Sequence, residues 1–200
     1  MARTINMTGQ LPSLDRADLT LEQNQIYVLE LDTWKVSTTL AALPAAGDST
    51  SLGLVVGAHE TAAHSLQGTD FGGLTKTETC RRKYTLPVEY VSGQPIEIQV
   101  HGGVLTTISS TSATVLAEVV KVTPRTLTSD SGIGTDLVTT TAQSINSLTM
   151  AYVEFNVTPT GLVAGDQLDI EITAEGIDGT DAGVMKMFID RIAVKLDVKG

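Results

Sequence analysis

Two stretches of the chain share one arrangement of strand, turn and strand, and this repetition constrains the fold most. Residues 153–173 read VEFNVTPTGLVAGDQLDIEIT, in which apolar and polar residues alternate on both sides of a turn that contains Pro and Gly. Residues 87–100, PVEYVSGQPIEIQV, repeat its turn and second strand 72 positions earlier, so that Pro87 corresponds to Pro159. A period of two on both sides of such a turn is typical of paired, half-buried β-strands.

The strand that follows each repeated segment changes its apolar phase at an acidic residue. In the first copy the phase changes across Glu118, so that Val120 and Val122 would face the core, and in the second it changes across Asp190. A β-bulge has this effect, because one extra residue exchanges the side chains that face the core without ending the strand. We therefore predict two related units, each with a bulge. Chance resemblance of two hairpins is the alternative, and two copies are too few for a stacked repeat fold.

The predicted fold class is all-β. Beta-branched residues are abundant, and no stretch of ten or more residues keeps a helical period of 3.6. Residues 26–200 are predicted to form one antiparallel two-sheet β-sandwich, most naturally a jelly roll. Residues 1–25 lack strand alternation and are predicted to be an extended N-terminal arm. The predicted core includes eight residues that keep one parity within each strand: Ile98, Val100, Val153, Phe155, Ile170, Ile172, Val194 and Leu196.

The individual strands of the sandwich are predicted from local alternation. Residues 26–31 form the first clear strand, and residues 52–56 are a short apolar run. Residues 57–76 are rich in Gly and polar residues, which predicts a long surface loop. Strand character resumes at residues 77–86, whereas residues 135–148 are a polar link rich in Thr and Ser.

Charge and composition exclude several classes of function. A net charge of −10, from 13 Lys and Arg against 23 Asp and Glu, opposes direct binding of nucleic acid. Cys80 is the only cysteine, so the 200 residues form no intrachain disulfide and a thiolate zinc site is implausible. No apolar run approaches the roughly 20 residues that cross a bilayer, and the N-terminus lacks the pattern of a secretion signal. We therefore expect a soluble protein made in the cytoplasm.

One basic run stands out in this acidic chain. Arg81, Arg82 and Lys83 follow one another inside a predicted strand. Positive charge on an edge strand discourages edge-to-edge pairing, and this structural interpretation is favoured. The functional alternative is a contact with an acidic neighbouring surface, so these three residues are the candidate contact residues.

Two groups of residues resemble metal sites without matching them. His59 and His64 in HETAAH are five positions apart, which puts them about 140° out of alignment on a helix, whereas H-E-x-x-H zinc sites align them. Asp178 and Asp181 lie in a Gly-rich loop that could offer oxygen ligands to calcium, but the spacing is not that of an EF-hand and Asp-Gly is ordinary turn chemistry. Asp136 and its Gly-rich surroundings are ambiguous in the same way.

The sequence also lacks the motifs of common enzymes. It contains no nucleophile elbow, no phosphate-binding glycine loop and no dinucleotide fingerprint. We therefore predict no catalytic residues, no cofactor and no bound metal, and we expect that the protein is not an enzyme.

Four stretches of the chain resemble the jelly-roll decoration (cement) proteins of tailed bacteriophages. They are LGLVVGAHETAAHSLQGTDFGG, PVEYVSGQPIEIQVHGG, NSLTMAYVEFNVTPTGLVAGDQLDIEIT and the closing strand IAVKLDVKG. The resemblance covers most of residues 26–200 and rests on β-sandwich patterning. It implies a structural virion protein, commonly a homotrimer, that binds the exterior of an icosahedral capsid and bridges major capsid protein subunits. It assigns no role to a single residue.

Two other functions fit a β-sandwich of this kind. One is a carbohydrate- or receptor-binding module of a phage tail or fibre, which binds through its loops. Against it, aromatic side chains stack on sugars, and only 4% of this chain is aromatic, with one Trp. The other is an all-β major structural protein of a capsid without a tail.

Overall fold

The computed structural model describes residues 22–57, 63–70, 75–105, 113–122, 133–177 and 186–199. Within these ranges the chain forms eleven β-strands and one 3-10 helix, Leu31–Thr33. The strands are β1 Glu22–Leu29, β2 Gly53–Val55, β3 Ser65–Gln67, β4 Thr75–Thr85, β5 Ile96–Val104, β6 Ala113–Val122, β7 Ile133–Asp136, β8 Gln143–Ser144, β9 Ala151–Val157, β10 Gln167–Ile177 and β11 Met187–Lys199.

The strands form two antiparallel sheets that pack face to face. Sheet A has the order β2-β3-β11-β5-β9, with β1 also paired to β11. Sheet B has the order β4-β10-β6-β7, with β8 also paired to β6. From β4 onward the long strands pass from one sheet to the other, as in a jelly roll. The predicted antiparallel β-sandwich is confirmed.

The two repeated units occupy equivalent places in opposite sheets. In the first unit β4, β5 and β6 lie in sheets B, A and B, and in the second β9, β10 and β11 lie in sheets A, B and A. As a result β5 lies between β9 and β11, and β10 lies between β4 and β6. The prediction that the strands flanking each turn pair with each other is wrong, because each turn crosses the roughly 10 Å between the sheets.

The turns of the two units have the same backbone structure. In the first turn the amide of Tyr90 donates to the carbonyl of Pro87 at 3.0 Å, and the residues 72 positions later make the same hydrogen bond at 3.0 Å. Gly93 and its counterpart Gly165 have φ angles of 82° and 84°. Glycine is favoured at both positions because a side chain is strained in this left-handed region.

The bulge predicted in the second unit is present. The pairing of β11 with β5 passes from Ile189–Gly102 to Arg191–His101, which leaves Asp190 as the extra residue. Buried side chains then lie on both sides of the shift, at Ile189 and at Ile192. Asp190 therefore keeps the apolar side chains of β11 on the core side of sheet A.

The bulge predicted at Glu118 in the first unit is wrong. β6 pairs with β10 in one unbroken register through Glu118, which lies opposite Glu171. Val119 is fully buried, whereas Val120 is partly exposed, so the burial phase does not change. Val120 and Val122 are apolar residues on the outer face, and the register shift between them concerns only the pairing with the short strand β7.

The predicted core residues line the space between the sheets. Seven of the eight are buried to 1% exposure or less, and Val153 is partly exposed and packs against the others. Val153 lies on β9, the terminal strand in the order of sheet A. Trp34, Leu52 and Leu66 are also buried, so the segments around β2 and β3 contribute to the same core.

Three parts of the chain differ from the sequence prediction. The segment 135–148, predicted as a polar link, contains β8 and the end of β7, and both strands pair with β6. β1 begins at Glu22 and ends at Leu29, so residues 22–25 belong to a strand and not to the predicted arm; residues 1–21 lie outside the described residues. β3 lies inside the segment predicted as a loop, and it pairs with β2 and β11. This strand was missed because Leu66 is its only apolar residue, which is too short a pattern to show a period.

Candidate functional site

A row of aromatic and polar side chains lies on the outer face of sheet A beside the bulge. The register places Tyr152 of β9 opposite His101 of β5, and His101 opposite Arg191 of β11. Opposed residues in neighbouring strands project from the same face of a sheet. We call Tyr152, His101, Asp190 and Arg191 the bulge platform.

The side chains of the bulge platform hold one another in place. The rings of His101 and Tyr152 lie with their centroids 4.4 Å apart and their planes tilted by 37°. The Nη1 of Arg191 donates to the hydroxyl of Tyr152 at 3.0 Å, and the Nδ1–H of His101 donates to the Asp190 carboxylate at 2.7 Å. The Tyr152 side chain, with the residue 50% exposed, is therefore fixed at its hydroxyl end while part of the ring faces solvent.

Further polar pairs continue along the same face. The amide of Gln99 donates to the Glu154 carboxylate at 2.8 Å, and Lys195 donates to the Glu97 carboxylate at 2.5 Å. The hydrogen bond from Lys195 to Glu97 raises the pKa of Lys195. The face next to the bulge platform thus offers alternating hydrogen-bond donors and acceptors.

A cavity of about 240 Å³ adjoins the bulge platform on the side of β1. Asp190 and Arg191 belong both to the platform and to the cavity wall. The other residues that line it are Val28, Leu29, Glu30, Leu31, Asp32 and His64. A continuous surface therefore runs from Tyr152 over the bulge to the cavity.

The three candidate contact residues on β4 project from both faces of the strand, yet all three line one recess of about 450 Å³ together with Lys35. Arg81 and Lys83 lie on the outer face of sheet B, opposite Glu171 and Asp169 of β10. Arg82 projects from the other face, and its Nη1 donates to the carbonyl of Glu30 at 3.1 Å. Burial lowers the pKa of Arg82.

The position of β4 agrees with the structural interpretation of the basic run. β4 is the terminal strand in the order of sheet B. Its outer edge is partly covered, because the backbone of Arg81 exchanges two hydrogen bonds of 2.9 Å with Lys35. Of the three cations, Lys83 is exposed on the outer face, and Arg81 and Arg82 are partly exposed.

A second recess, of about 190 Å³, lies on the outer face of sheet B. Its charged side chains are Arg81, Glu118, Asp136, Asp169 and Glu171. Burial, with a smaller effect of the Glu118 charge, raises the pKa of Glu171, which accepts a hydrogen bond from the hydroxyl of Ser37. Asp136 caps the backbone amides of two neighbouring residues. The recess offers no aromatic ring, and Arg81 is the one cation among the four carboxylates that line it.

The described residues include no group of three or more His, Cys, Asp or Glu side chains placed to hold a metal ion. His59, Asp178 and Asp181 lie outside those residues, whereas His64 lines the cavity beside the bulge. Cys80 is fully buried, and burial raises the pKa of its thiol, so it fits the predicted role of a small core residue. Among the described residues no helix is long and apolar enough to span a membrane.

Sequence analysis did not identify the bulge platform. The sequence predicts Asp190 as a bulge residue, but not as a partner of His101. Tyr152 carries the one available signal, because it is an aromatic residue at a position where the alternation of β9 requires an outward side chain. Its neighbours in space come from strands that are 51 and 39 positions away along the chain.

Comparisons with known proteins place the chain in no family. No family model and no curated protein matches it. Solved structures similar to it include the xylan-binding module CBM15, at a TM-score of 0.46 and 12% identity over 87% of this chain and 97% of that one. The CBM22-1 xylan-binding domain of Paenibacillus barcinonensis Xyn10C has a TM-score of 0.43 and 12% identity over 90% and 98%. TmCBM27, described for mannan recognition, has a TM-score of 0.40 and 14% identity over 86% and 98%.

Proposed function

We propose that this protein is a non-catalytic β-sandwich module that binds carbohydrate on the outer face of sheet A. The observation that carries the proposal is the Tyr152 ring, half exposed on the face and held by Arg191 and His101. An aromatic ring offers apolar area to the C–H face of a sugar and keeps a polar end for hydrogen bonding.

The surroundings of Tyr152 suit the hydroxyl groups of a sugar. Binding sites combine apolar contact with a few well-placed polar groups that fix the orientation of the ligand. Here Arg191 and Gln99 provide donors, and Asp190 and Glu154 provide acceptors, all on one face of the sheet. Because these side chains already hold one another, little conformational entropy is lost when a ligand binds.

Binding of neutral polysaccharides tests this proposal directly. We expect the wild type to be retarded in affinity gels that contain xylan, mannan or β-glucan, and we expect Tyr152→Ala to remove the retardation. Tyr152→Phe keeps the ring but loses the hydrogen bond from Arg191, so its affinity should fall several-fold while retardation stays measurable. Val88→Ala, which alters a side chain that is 82% exposed and outside the bulge platform, is the matched control and should behave as wild type. A wild type that binds none of a broad set of glycans would refute the proposal.

Capsid decoration is a second candidate function, and one feature of β1 supports it. β1 pairs with β11 alone among the described strands, and its Ile26 and Val28 are 55% and 46% exposed on the outer face of sheet A. The strand contains no Lys or Pro, the residues that commonly protect a free edge. Such an edge suits contact with a neighbouring subunit, and residues 1–21 lie directly before it.

Assembled capsids of the encoding virus provide the test of this second function. Here Ile26→Lys combined with Val28→Lys should weaken capsid binding, whereas Tyr152→Ala should not. Lys83→Glu should weaken it only at low salt, because exposed charge pairs are screened. A truncation of the predicted arm should stop at residue 21, since β1 begins at Glu22. If the intact chain does not bind capsids, decoration is excluded.

A further inference from the structure

We propose that the bulge platform and the adjoining cavity form one groove, which binds a linear, uncharged oligosaccharide laid across the strands of sheet A. This inference rests on the proposed carbohydrate-binding function and adds the length, direction and charge of the ligand. The groove begins at Tyr152 and ends in the cavity at His64.

The direction of the groove follows from the pairing of the strands. Tyr152, His101 and Arg191 lie in one row perpendicular to the strands, on β9, β5 and β11. The cavity at the end of β1 is the fourth position of this row. Strands lie about 4.8 Å apart, so the groove is roughly 14 Å long, about the length of three linked pyranose rings.

The bulge opens the far end of the groove. On the side of β11 away from β5, β3 pairs with Phe188 and Ile189, and β1 pairs with residues from Ile192 onward. No described strand pairs with Asp190 or Arg191 on that side. The cavity lies in this gap between β3 and β1. Here the backbone and side chains of the bulge are accessible to a ligand, because no described strand pairs with them on this side.

The walls of the cavity suit one sugar ring. Val28 provides exposed apolar area and His64 provides a ring nitrogen, whereas Leu29 and Leu31 line the wall but are themselves buried. The volume of about 240 Å³ is smaller than the pockets that enclose drug-sized ligands, and it is open to the platform. The cavity therefore takes the end of a chain whose remaining rings lie on the open face.

The charges around the groove favour an uncharged ligand. Asp190, Glu30 and Asp32 line the cavity with Arg191 as the one cation, and Glu154 lies beside Tyr152. Carboxylates accept strong hydrogen bonds from hydroxyl groups, but they repel the carboxylate of an acidic sugar. We therefore infer neutral hexose or pentose chains, and not chains that contain uronic or sialic acid.

Calorimetric titration with cello-, xylo- and manno-oligosaccharides of one to six sugars tests the groove. For at least one series we expect the dissociation constant to fall with each sugar up to about three and then to level off. Here His64→Ala should weaken binding of the trisaccharide about tenfold, equivalent to about 1.4 kcal/mol, and leave monosaccharide binding unchanged. By contrast, Tyr152→Ala should weaken both, and Val88→Ala neither. Thermal melting checks that each variant is folded.

The outcomes separate the groove from the broader proposal. Binding that requires Tyr152 but is equally strong for one and three sugars, and unaffected by His64→Ala, overturns the groove and leaves the carbohydrate function standing. Tighter binding of oligogalacturonate than of neutral chains overturns the inferred charge of the ligand. A folded wild type that binds no oligosaccharide overturns the carbohydrate function, and the groove with it.

Discussion

The guanidinium of Arg191 donates a hydrogen bond to the hydroxyl of Tyr152 across the strand that separates them, with 3.0 Å between Nη1 and Oη. The two residues lie on β11 and β9, and His101 on β5 lies between them. The bond therefore spans two strand spacings, whereas a contact between adjacent strands spans one. The bulge residue Asp190 directly precedes Arg191, and β-bulges commonly change the direction of a neighbouring side chain.

The bond from Arg191 predicts a role in positioning the Tyr152 ring. For Arg191→Ala we expect glycan affinity to fall several-fold, less than in Tyr152→Ala, because the ring remains but is no longer held. Stability should change by no more than about 0.5 kcal/mol, since the residue is exposed. Calorimetric titration and thermal melting measure the two effects. Unchanged affinity would show that the ring does not need this partner.

The core between the sheets predicts a large loss of stability on truncation of Phe155. This side chain is fully buried and lies opposite Ile98 in the pairing of β9 with β5. For Phe155→Ala we expect a decrease of about 3–5 kcal/mol in the free energy of unfolding, from lost apolar burial and the cavity left behind. Chemical denaturation measures it, with Val88→Ala as a control that should lie within about 0.5 kcal/mol of wild type. A small effect at Phe155 would contradict the described packing.

The acidic recess of sheet B predicts a pH dependence of stability. Burial raises the pKa of Glu171 above its ordinary value of 4.5. The folded state thus holds this proton more tightly than the unfolded state, so stability contributed by the protonated form is lost as the pH rises from 4.5 through the raised pKa.

Replacement of this carboxyl by an uncharged amide tests that pH dependence. For Glu171→Gln we expect a smaller loss of stability than in wild type when the pH rises through this window. Urea denaturation from pH 4 to pH 8 measures the difference between the two proteins. Asp166 has a lowered pKa and acts in a separate window, below its ordinary value of 3.8. Parallel pH curves for the two proteins would contradict the assignment to Glu171.

The repeated turns could be predicted from sequence because their cause is local. A glycine at the left-handed positions 93 and 165 and the alternation after each turn are visible in the chain itself. The sheet that each strand joins was not predictable, because alternation shows which residues face the core and not which partner a strand takes. The bulge at Glu118 was wrongly predicted for a related reason, since Val120 and Val122 are apolar on the outer face.

The candidate site depends on pairing between distant strands. Tyr152, His101 and Arg191 are ordinary outward-facing residues in three separate segments, and only the registers of two strand pairs bring them into one row. The low aromatic content is an argument against sugar binding. However, a composition gives the number of aromatic rings and not their positions in the fold. Tyr152 is such a ring, half exposed on the outer face of sheet A in one row with His101 and Arg191.

The bulge itself provides the last prediction, which separates its structural effect from its role in the site. Asp190 is an extra residue, so its deletion leaves Ile189, Arg191 and Ile192 in regular alternation, with the apolar residues still facing the core. The counterpart strand β6 pairs with β10 through Glu118 without a bulge, so a regular strand occupies the equivalent place in sheet B. We therefore expect the protein without Asp190 to fold and to lose glycan binding, because His101 loses its partner and the cavity loses part of its wall.

Deletion of Ala193 is the matched control for this prediction. It removes one residue from a regular part of β11. Such a one-residue slip moves every later side chain of the strand to the opposite face of the sheet. The buried residues Val194, Leu196 and Val198 would then lie on the outer face. We expect that protein to be unfolded or strongly destabilised. Circular dichroism melting and affinity gels with neutral polysaccharides measure both variants. If the two deletions destabilise the protein equally, Asp190 is required for folding, and if deletion of Asp190 leaves binding intact, the bulge is not part of the site.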